Sequence, residues 1–178
     1  MININIDNEA IFRWTCDAGH LETAKWLYCL SKTDNNRKIN INTDHYAAFR
    51  WTCSSGHFET AKWLHDLSRI DNNLVDIHVY GKCFWWACVN GHFEIANWLY
   101  RLLTVDVNIR IYIYATNERI FRKSYSDNQF KIIKWLFELS KANNKKFDIR
   151  TNNKYIFKLE CSNSYGSGNI ILSIQHHK

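Results

Sequence analysis

The chain has 178 residues, a formal net charge of +6, 46% hydrophobic residues and eight Trp, which suits one ordinary domain with ample apolar surface for a packed core and excludes a disordered tail. The +6 hides an asymmetry: residues 119–178 hold twelve Lys/Arg against four Asp/Glu, a net +8, while residues 1–118 are at −2. A basic end of this kind suits nucleic acid, an anionic surface or an acidic protein, or simply keeps the end of a stack soluble.

The start, Met-Ile-Asn-Ile-Asn-Ile-Asp, alternates apolar and polar residues without a basic leader or a long apolar run, so neither a signal peptide nor a membrane span is expected and the predicted location is intracellular and cytoplasmic. Next, Gly-His-(Leu/Phe)-Glu-(Thr/Ile)-Ala-(Lys/Asn)-Trp-Leu occurs at Gly19-His20, Gly56-His57 and Gly91-His92, at intervals of 37 and 35 residues. Such a period is the mark of units that bury their apolar faces only by stacking on their neighbours. Five copies register by Phe12, Phe49, Phe84, Phe121 and Phe157, then by Trp26, Trp63, Trp98, Trp135 and Ile171. The intervening turn is Gly-His in three copies, Asn128-Gln129 in the fourth and Ser164-Tyr165 in the fifth.

Within a copy the order of elements is readable. In the second, Tyr46, Phe49 and Cys53 with Ala47 predict a two-turn helix. Ser54-Ser55-Gly56 ends it, and Gly suits the left-handed residue after a helix. Phe58, Ala61, Trp63, Leu64 and Leu67 then predict a second helix over 58–68. Asp34-Asn35-Asn36, Asp71-Asn72-Asn73 and Asn143-Asn144 break the second helices, and β-branched stretches such as Ile39-Asn-Ile-Asn and Ile109-Arg-Ile-Tyr-Ile-Tyr lead into the next unit. The first copy starts almost at Met1, so unless another chain or upstream sequence covers it an apolar flank at Phe12, Trp14 and Trp26 is expected to be partly uncovered. The fifth, with Gly166 and Gly168, reads as a cap or a decayed unit.

The order of extended finger, short helix, Gly-His turn and longer helix resembles the ankyrin repeat, and Gly19-His-Leu-Glu-Thr-Ala-Lys-Trp-Leu27 is similar to that family's Gly-His-Leu-Glu-Ile-Val-Lys-Leu-Leu. The family's Thr-Pro-Leu-His helix start is replaced here by Ala10-Ile-Phe-Arg13, Ala47-Ala-Phe-Arg50 and Lys82-Cys-Phe-Trp85, and the chain has no proline. The Trp-Leu ending and the abundance of Asn, Ile and Lys resemble the ankyrin repeats of giant DNA viruses. The resemblance implies an all-α solenoid of helix-turn-helix units with extended or hairpin fingers, four to five repeats in one domain over 1–178. Its repeats are 7–37, 44–74, 79–109 and a degenerate 116–147, followed by a partial repeat or cap over 148–178.

Several residues invite chemistry. Cys16, Cys53 and Cys88 each precede a histidine by four positions, yet two ligands per unit do not make a tetrahedral zinc site. These cysteines, with the equivalent Cys161, are expected to be reduced core residues spaced too widely along the stack for disulfides. Glu22, Glu59 and Glu94 suit the first turn of a helix, and no nucleophile-base pair or phosphate loop occurs, so no enzyme, cofactor or metal is expected. The turn histidines His20, His57 and His92 read as structural hydrogen-bonding groups. Arg13, Arg50, Trp85, Arg122 and Lys158 share one position of the first helix, where they would bind an anionic chain or serve their own turns. The resemblance favours protein recognition by an adaptor or scaffold, with a binder of nucleic acid or anionic surfaces through the basic C-terminal half, or a vestigial member of the repeat family without a dedicated partner, as alternatives. Carried over, its contact surface is Asp7 and Glu9, Asp44 and Tyr46, Val79 and Gly81, Thr116 and Glu118, with Asp17-Ala18, Ser54-Ser55, Val89-Asn90 and Ser126-Asp127 at helix ends. That surface is polar and mildly acidic, with Tyr46 and Tyr80 as aromatic anchors.

Overall fold

Apolar side chains three and four residues apart, closed by a glycine that takes the left-handed conformation, make each copy a helix pair. In the computed structural model, which describes residues 8–33, 39–70, 75–103, 119–124, 126–127, 129–142, 155–160 and 171–176, the pairs are α1 (Asn8–Asp17) with α2 (Leu21–Thr33), α3 (Thr43–Ser55) with α4 (Phe58–Ile70), and α5 (Ile77–Val89) with α6 (Phe93–Leu103). Helical residues 119–124 (α7) precede α8 (Phe130–Ala142). The fold is the all-α stack of paired helices that the repeats predict. Asp7, Thr116, Glu118, the Asn-rich breaks, the 109–114 stretch, Asn128, Cys161, and Ser164-Tyr165 lie outside the described residues.

The Gly-His turns are Schellman-type closures. Gly19, Gly56 and Gly91 have φ of 74°, 88° and 81°, and the following amides reach back five residues: His20 N to Thr15 O at 3.0 Å, His57 N to Thr52 O at 3.1 Å and His92 N to Ala87 O at 2.8 Å. Gln129 N makes the same bond to Ser124 O at 2.8 Å, so the fourth copy keeps the closure without the dipeptide. α3 starts differently. Asp44, His45 and Tyr46 take left-handed φ of 54°, 52° and 60°, a conformation costing roughly 1–2 kcal/mol per residue. Arg50 braces it, its Nε donating to His45 O at 2.9 Å and its Nη2 to Asp44 O at 3.0 Å.

Helices α1, α3 and α5 pack side by side in order, whereas α4 and α6 meet sparsely. The first-helix side of the stack is therefore closed and the second-helix side splayed. The core holds Phe12, Phe49, Phe84 and Phe121, with Ala24, Ala61, Ala96, Leu64 and Leu99. Phe12 is only 1% exposed, against the expected uncovered flank; α2 and Trp63 cover it. Cys16, Cys53 and Cys88 are buried free thiols.

The tryptophan of each second helix proves to be an inter-repeat knob rather than a fully buried core residue. Trp63 sets its edge on Phe12 and Tyr28 of the preceding unit, both at 6.1 Å. Trp98 does so on Phe49, Phe58 and His65 at 6.3, 5.8 and 5.4 Å, and Trp135 on Phe84, Phe93 and Tyr100 at 6.2, 5.6 and 5.5 Å. Trp26, aligned with the repeat-core tryptophans but expected on the partly uncovered flank of the first copy, is 61% exposed, because no described unit offers it such a slot.

The fifth copy departs from the register. Tyr155–Glu160 (β1) and Ile171–His176 (β2) pair antiparallel, with Phe157 opposite Ile174 and Glu160 opposite Ile171. The helical positions assigned to Phe157 and Ile171 are thus strand positions. Tyr155-Ile-Phe-Lys-Leu-Glu and Ile171-Leu-Ser-Ile are rich in aromatic and β-branched residues, which favour strands.

Candidate functional site

The helix-one ends, read from sequence as an open contact surface, form a ladder tying one repeat to the next. Ser55 Oγ donates to Asp17 Oδ1 at 2.6 Å, and Asn90 Nδ2 donates to Ser54 O and Oγ at 2.8 and 3.0 Å. His92 Nε2 lies 2.8 Å from Ser54 O, so the turn histidine serves the turn of the preceding unit. The packing agrees. The rings of His57 and His92 occupy the space a Cβ would need on Gly19 and Gly56, and the Gln129 side chain does the same at Gly91. Glycine is required at these turns both by its positive φ and by a neighbour's side chain.

Other members of that predicted surface are placed as follows. Val89 is 3% exposed, and Val79 and Gly81 are buried, because this side of α5 faces α3 and α6. Tyr80 is no free anchor. It is half-buried, its ring edge sits 5.6 Å from Phe49, and its hydroxyl is 2.6 Å from His65 Nδ1. Burial pushes the Tyr80 hydroxyl well above its ordinary range and lowers His65, so both shifts favour the uncharged pair. Glu9 Oε1 accepts from Asn40 N at 3.3 Å. Asp44 is exposed and Tyr46 half-buried in the left-handed turn.

What does face solvent is a row of tryptophans. Trp14 is 64% and Trp86 45% exposed, with Trp51 half-buried between them. They stand two residues beyond Phe12, Phe49 and Phe84, at the same 37- and 35-residue spacing as the turns. The Arg13 guanidinium lies 5.8 Å from the Trp51 ring centre and that of Arg119 6.0 Å from Trp85. Trp85 meets Trp86 edge-on at 4.6 Å. Lys82, Arg119, Arg122 and Lys123 are exposed on or beside α5 and α7. Among the described residues the first-helix face is therefore aromatic and, toward the fourth repeat, basic.

The row of cations divides. Arg50 serves its own turn, Arg13 and Trp85 belong to the tryptophan row, and Lys158 falls on β1.

A family model described as ankyrin repeats in three copies matches residues 8–111, more than half of the chain. The chain belongs to the ankyrin repeat family. No curated protein and no solved structure gives a significant match. The matched span runs over the three helix pairs that carry Gly-His, and the ankyrin-like fourth pair beyond it keeps the turn bond and the Trp135 knob.

Among the described residues no three His, Cys, Asp or Glu side chains converge as metal ligands, and no helix is long and apolar enough to cross a membrane. Cys16 is buried while His20, four residues on, is exposed, so the pair does not point to one centre. Sequence reasoning expected Trp14 on an uncovered flank of the first copy but missed Trp51 and Trp86 as members of the same row. Their signal was present in the repeat spacing, but a tryptophan beside a core phenylalanine reads as core until its neighbours are known.

Proposed function

We propose that this ankyrin repeat protein is a non-catalytic protein-interaction module that engages its partner along the inner face of α1, α3, α5 and α7. One observation carries the reading: tryptophans at one position of successive units stay exposed at Trp14 and Trp86. Exposed large aromatics in a contiguous patch mark contact surfaces, and Trp is prominent among interface hot spots. Asp44 and Tyr46 border this face from the left-handed turn. Twelve cations over 119–178 favour an anionic partner as the second reading, nucleic acid included, and steep loss of binding with salt would be its signature. A giant-virus source rests on the Trp-Leu and Asn-rich composition alone; an intracellular setting is supported by buried free thiols.

The test is affinity capture from lysate with three forms of the chain: wild type, a Trp14→Ser/Trp86→Ser variant of the inner face, and a Trp26→Ser variant of the N-terminal end. A protein retained by wild type and Trp26→Ser but lost from the inner-face variant is the expected result. Capture indifferent to Trp14 and Trp86 would overturn the assignment of this face.

A further inference from the structure

We propose that the chain pairs with a second copy of itself through the exposed face of its first unit, the two α2 helices lying antiparallel about a two-fold axis at the level of Tyr28. This face carries none of the tryptophans of the inner row on which the reading above rests.

The later units meet their predecessors through a fixed set of positions. Trp63 rests on Phe12 and Tyr28. The rings of His57 and His92 stand where a Cβ on Gly19 or Gly56 would be, the Cys83 thiol lies against that of Cys53, and Thr60 and Leu67, on the same face of α4 as Trp63, are buried. At the same repeat positions the first unit has Trp26, His20, Ile11, Thr23 and Leu30. All five are exposed, Trp26 at 61%, Leu30 at 46% and Ile11 at 40%. The first unit thus presents one half of the interface that holds the stack together, with the apolar surface that drives its closure elsewhere.

Two observations select a second first-unit face as the occupant. A head-to-tail contact would need an open aromatic slot on the fourth unit, yet Phe121 is 2% exposed, as enclosed as its counterpart Phe49 beneath Trp98, also 2%. The α2 stripe, in contrast, is complementary to itself. Thr23, Trp26, Leu30 and Thr33 follow one another at spacings of three, four and three, opposite the buried Ala24 and Tyr28, and read small, large, large, small in either direction about residue 28. Spacings of three and four are those of a helix-pair seam. An antiparallel copy turned about that level sets Trp26 beside Leu30 of the partner subunit and leaves room at the threonines. Closed two-fold pairing of this kind is also the commonest form of self-assembly. Cys29 borders the stripe where the later units have Asp66, Arg101 and Glu138, so no charge need be desolvated near the axis.

The contact is small. Trp26 offers roughly 90–150 Å² of the ~150–250 Å² that an enclosed tryptophan buries. With Ile11, Leu30 and their polar borders, one copy contributes on the order of 400–500 Å², and the total of about 1,000 Å² lies at the lower edge of specific interfaces. The dimer is therefore weak, with Kd on the order of 10–100 μM.

The experiment is sedimentation velocity of the full chain from ~5 to ~500 μM, a range that spans this Kd. A reversible equilibrium between monomer and dimer is expected, weakened about tenfold or more by Trp26→Ser and by Leu30→Glu and unchanged by Trp86→Ser on the inner face. Exposed Cys29 lies one residue from the axis, on an edge that the two-fold brings against itself, about one helix spacing (~8–10 Å) from Cys29 of the partner subunit. A bismaleimide of that span should join two chains, and Cys29→Ser should abolish the product. Thermal unfolding of each variant verifies that these exposed substitutions leave the fold intact. A chain that stays monomeric throughout, or a dimer indifferent to both Trp26 and Leu30, would overturn the proposal. Growth beyond the dimer would place the contact head to tail and overturn the two-fold, and a dimer sensitive to both residues without the Cys29 cross-link would overturn the antiparallel arrangement.

Discussion

Trp98 and Trp26 occupy the same position of the repeat, preceded by Ala-Asn and Ala-Lys and followed by Leu, and replacing each by Ala separates inter-repeat packing from local helix chemistry. A tryptophan buries roughly 150–250 Å² when enclosed, or about 4–6 kcal/mol at ~25 cal/mol per Å². Trp98 is half-buried, which roughly halves that figure. Its three edge-on contacts, with Phe49, Phe58 and His65, add about 0.5 kcal/mol each. Trp98→Ala should therefore cost about 3.5–4.5 kcal/mol. Trp26, 61% exposed and facing no described unit, keeps about two-fifths of that burial and should cost about 1.5–2.5 kcal/mol. For a chain of this size 1 kcal/mol moves Tm by about 2–4 °C, so circular dichroism melts should show a drop of roughly 7–18 °C for Trp98→Ala and of roughly 3–10 °C for Trp26→Ala. The Trp98→Ala transition should also broaden, since loosening one interior junction uncouples the units on either side. Equal shifts for the two variants would refute the knob-and-slot account, because both substitutions remove the same side chain from the same local sequence.

Gly56→Ala should destabilise by about 3 kcal/mol or more in urea unfolding: φ of 88° strains any L side chain, and the new Cβ would meet His92 Nδ1 at 2.5 Å; a loss below ~1 kcal/mol would mean that the His92 ring does not hold that position. His65, whose pKa burial lowers from 6.5, binds its proton more readily unfolded. Its contribution is thus complete above about pH 7.5 and is lost as pH falls through 6.5 toward the lower folded-state value. His65→Tyr, which restores the residue found at Tyr28 and Tyr100, should flatten the stability profile between pH 7.5 and 5, measured by urea midpoints; an unchanged slope would place the titration elsewhere. Alkylation of the native protein followed by peptide mass spectrometry should label exposed Cys29 quickly and spare Cys16, Cys53, Cys83 and Cys88. Burial first, then the Asp17 charge, raises the Cys16 thiol to about 12, and burial also pushes Cys53 and Cys88 well above the ordinary thiol value. Rapid labelling of Cys53 would contradict the enclosed core.

Residue order alone determined the unit: apolar residues three and four apart, a glycine where the chain must turn left-handed, and a constant spacing are local signals, each enforced within about ten residues of chain. The buried phenylalanines at 49, 84 and 121 followed directly, since every copy needs a residue between its two helices, whereas Phe12 at the end of the stack did not. Only tertiary structure decided what each face meets, because burial at the edge of a repeat is set by a side chain some 36 residues away. Trp26 and Trp63 share almost the same flanking sequence, yet one is solvent-facing and the other rests on Phe12 and Tyr28. Tyr80 and Val89 looked available for a partner and are held by His65 and by the packing of α5 on its neighbours. Trp86, indistinguishable from core by composition, stands in solvent with Trp14 because the position two beyond each core phenylalanine turns away from the core that the phenylalanines fill.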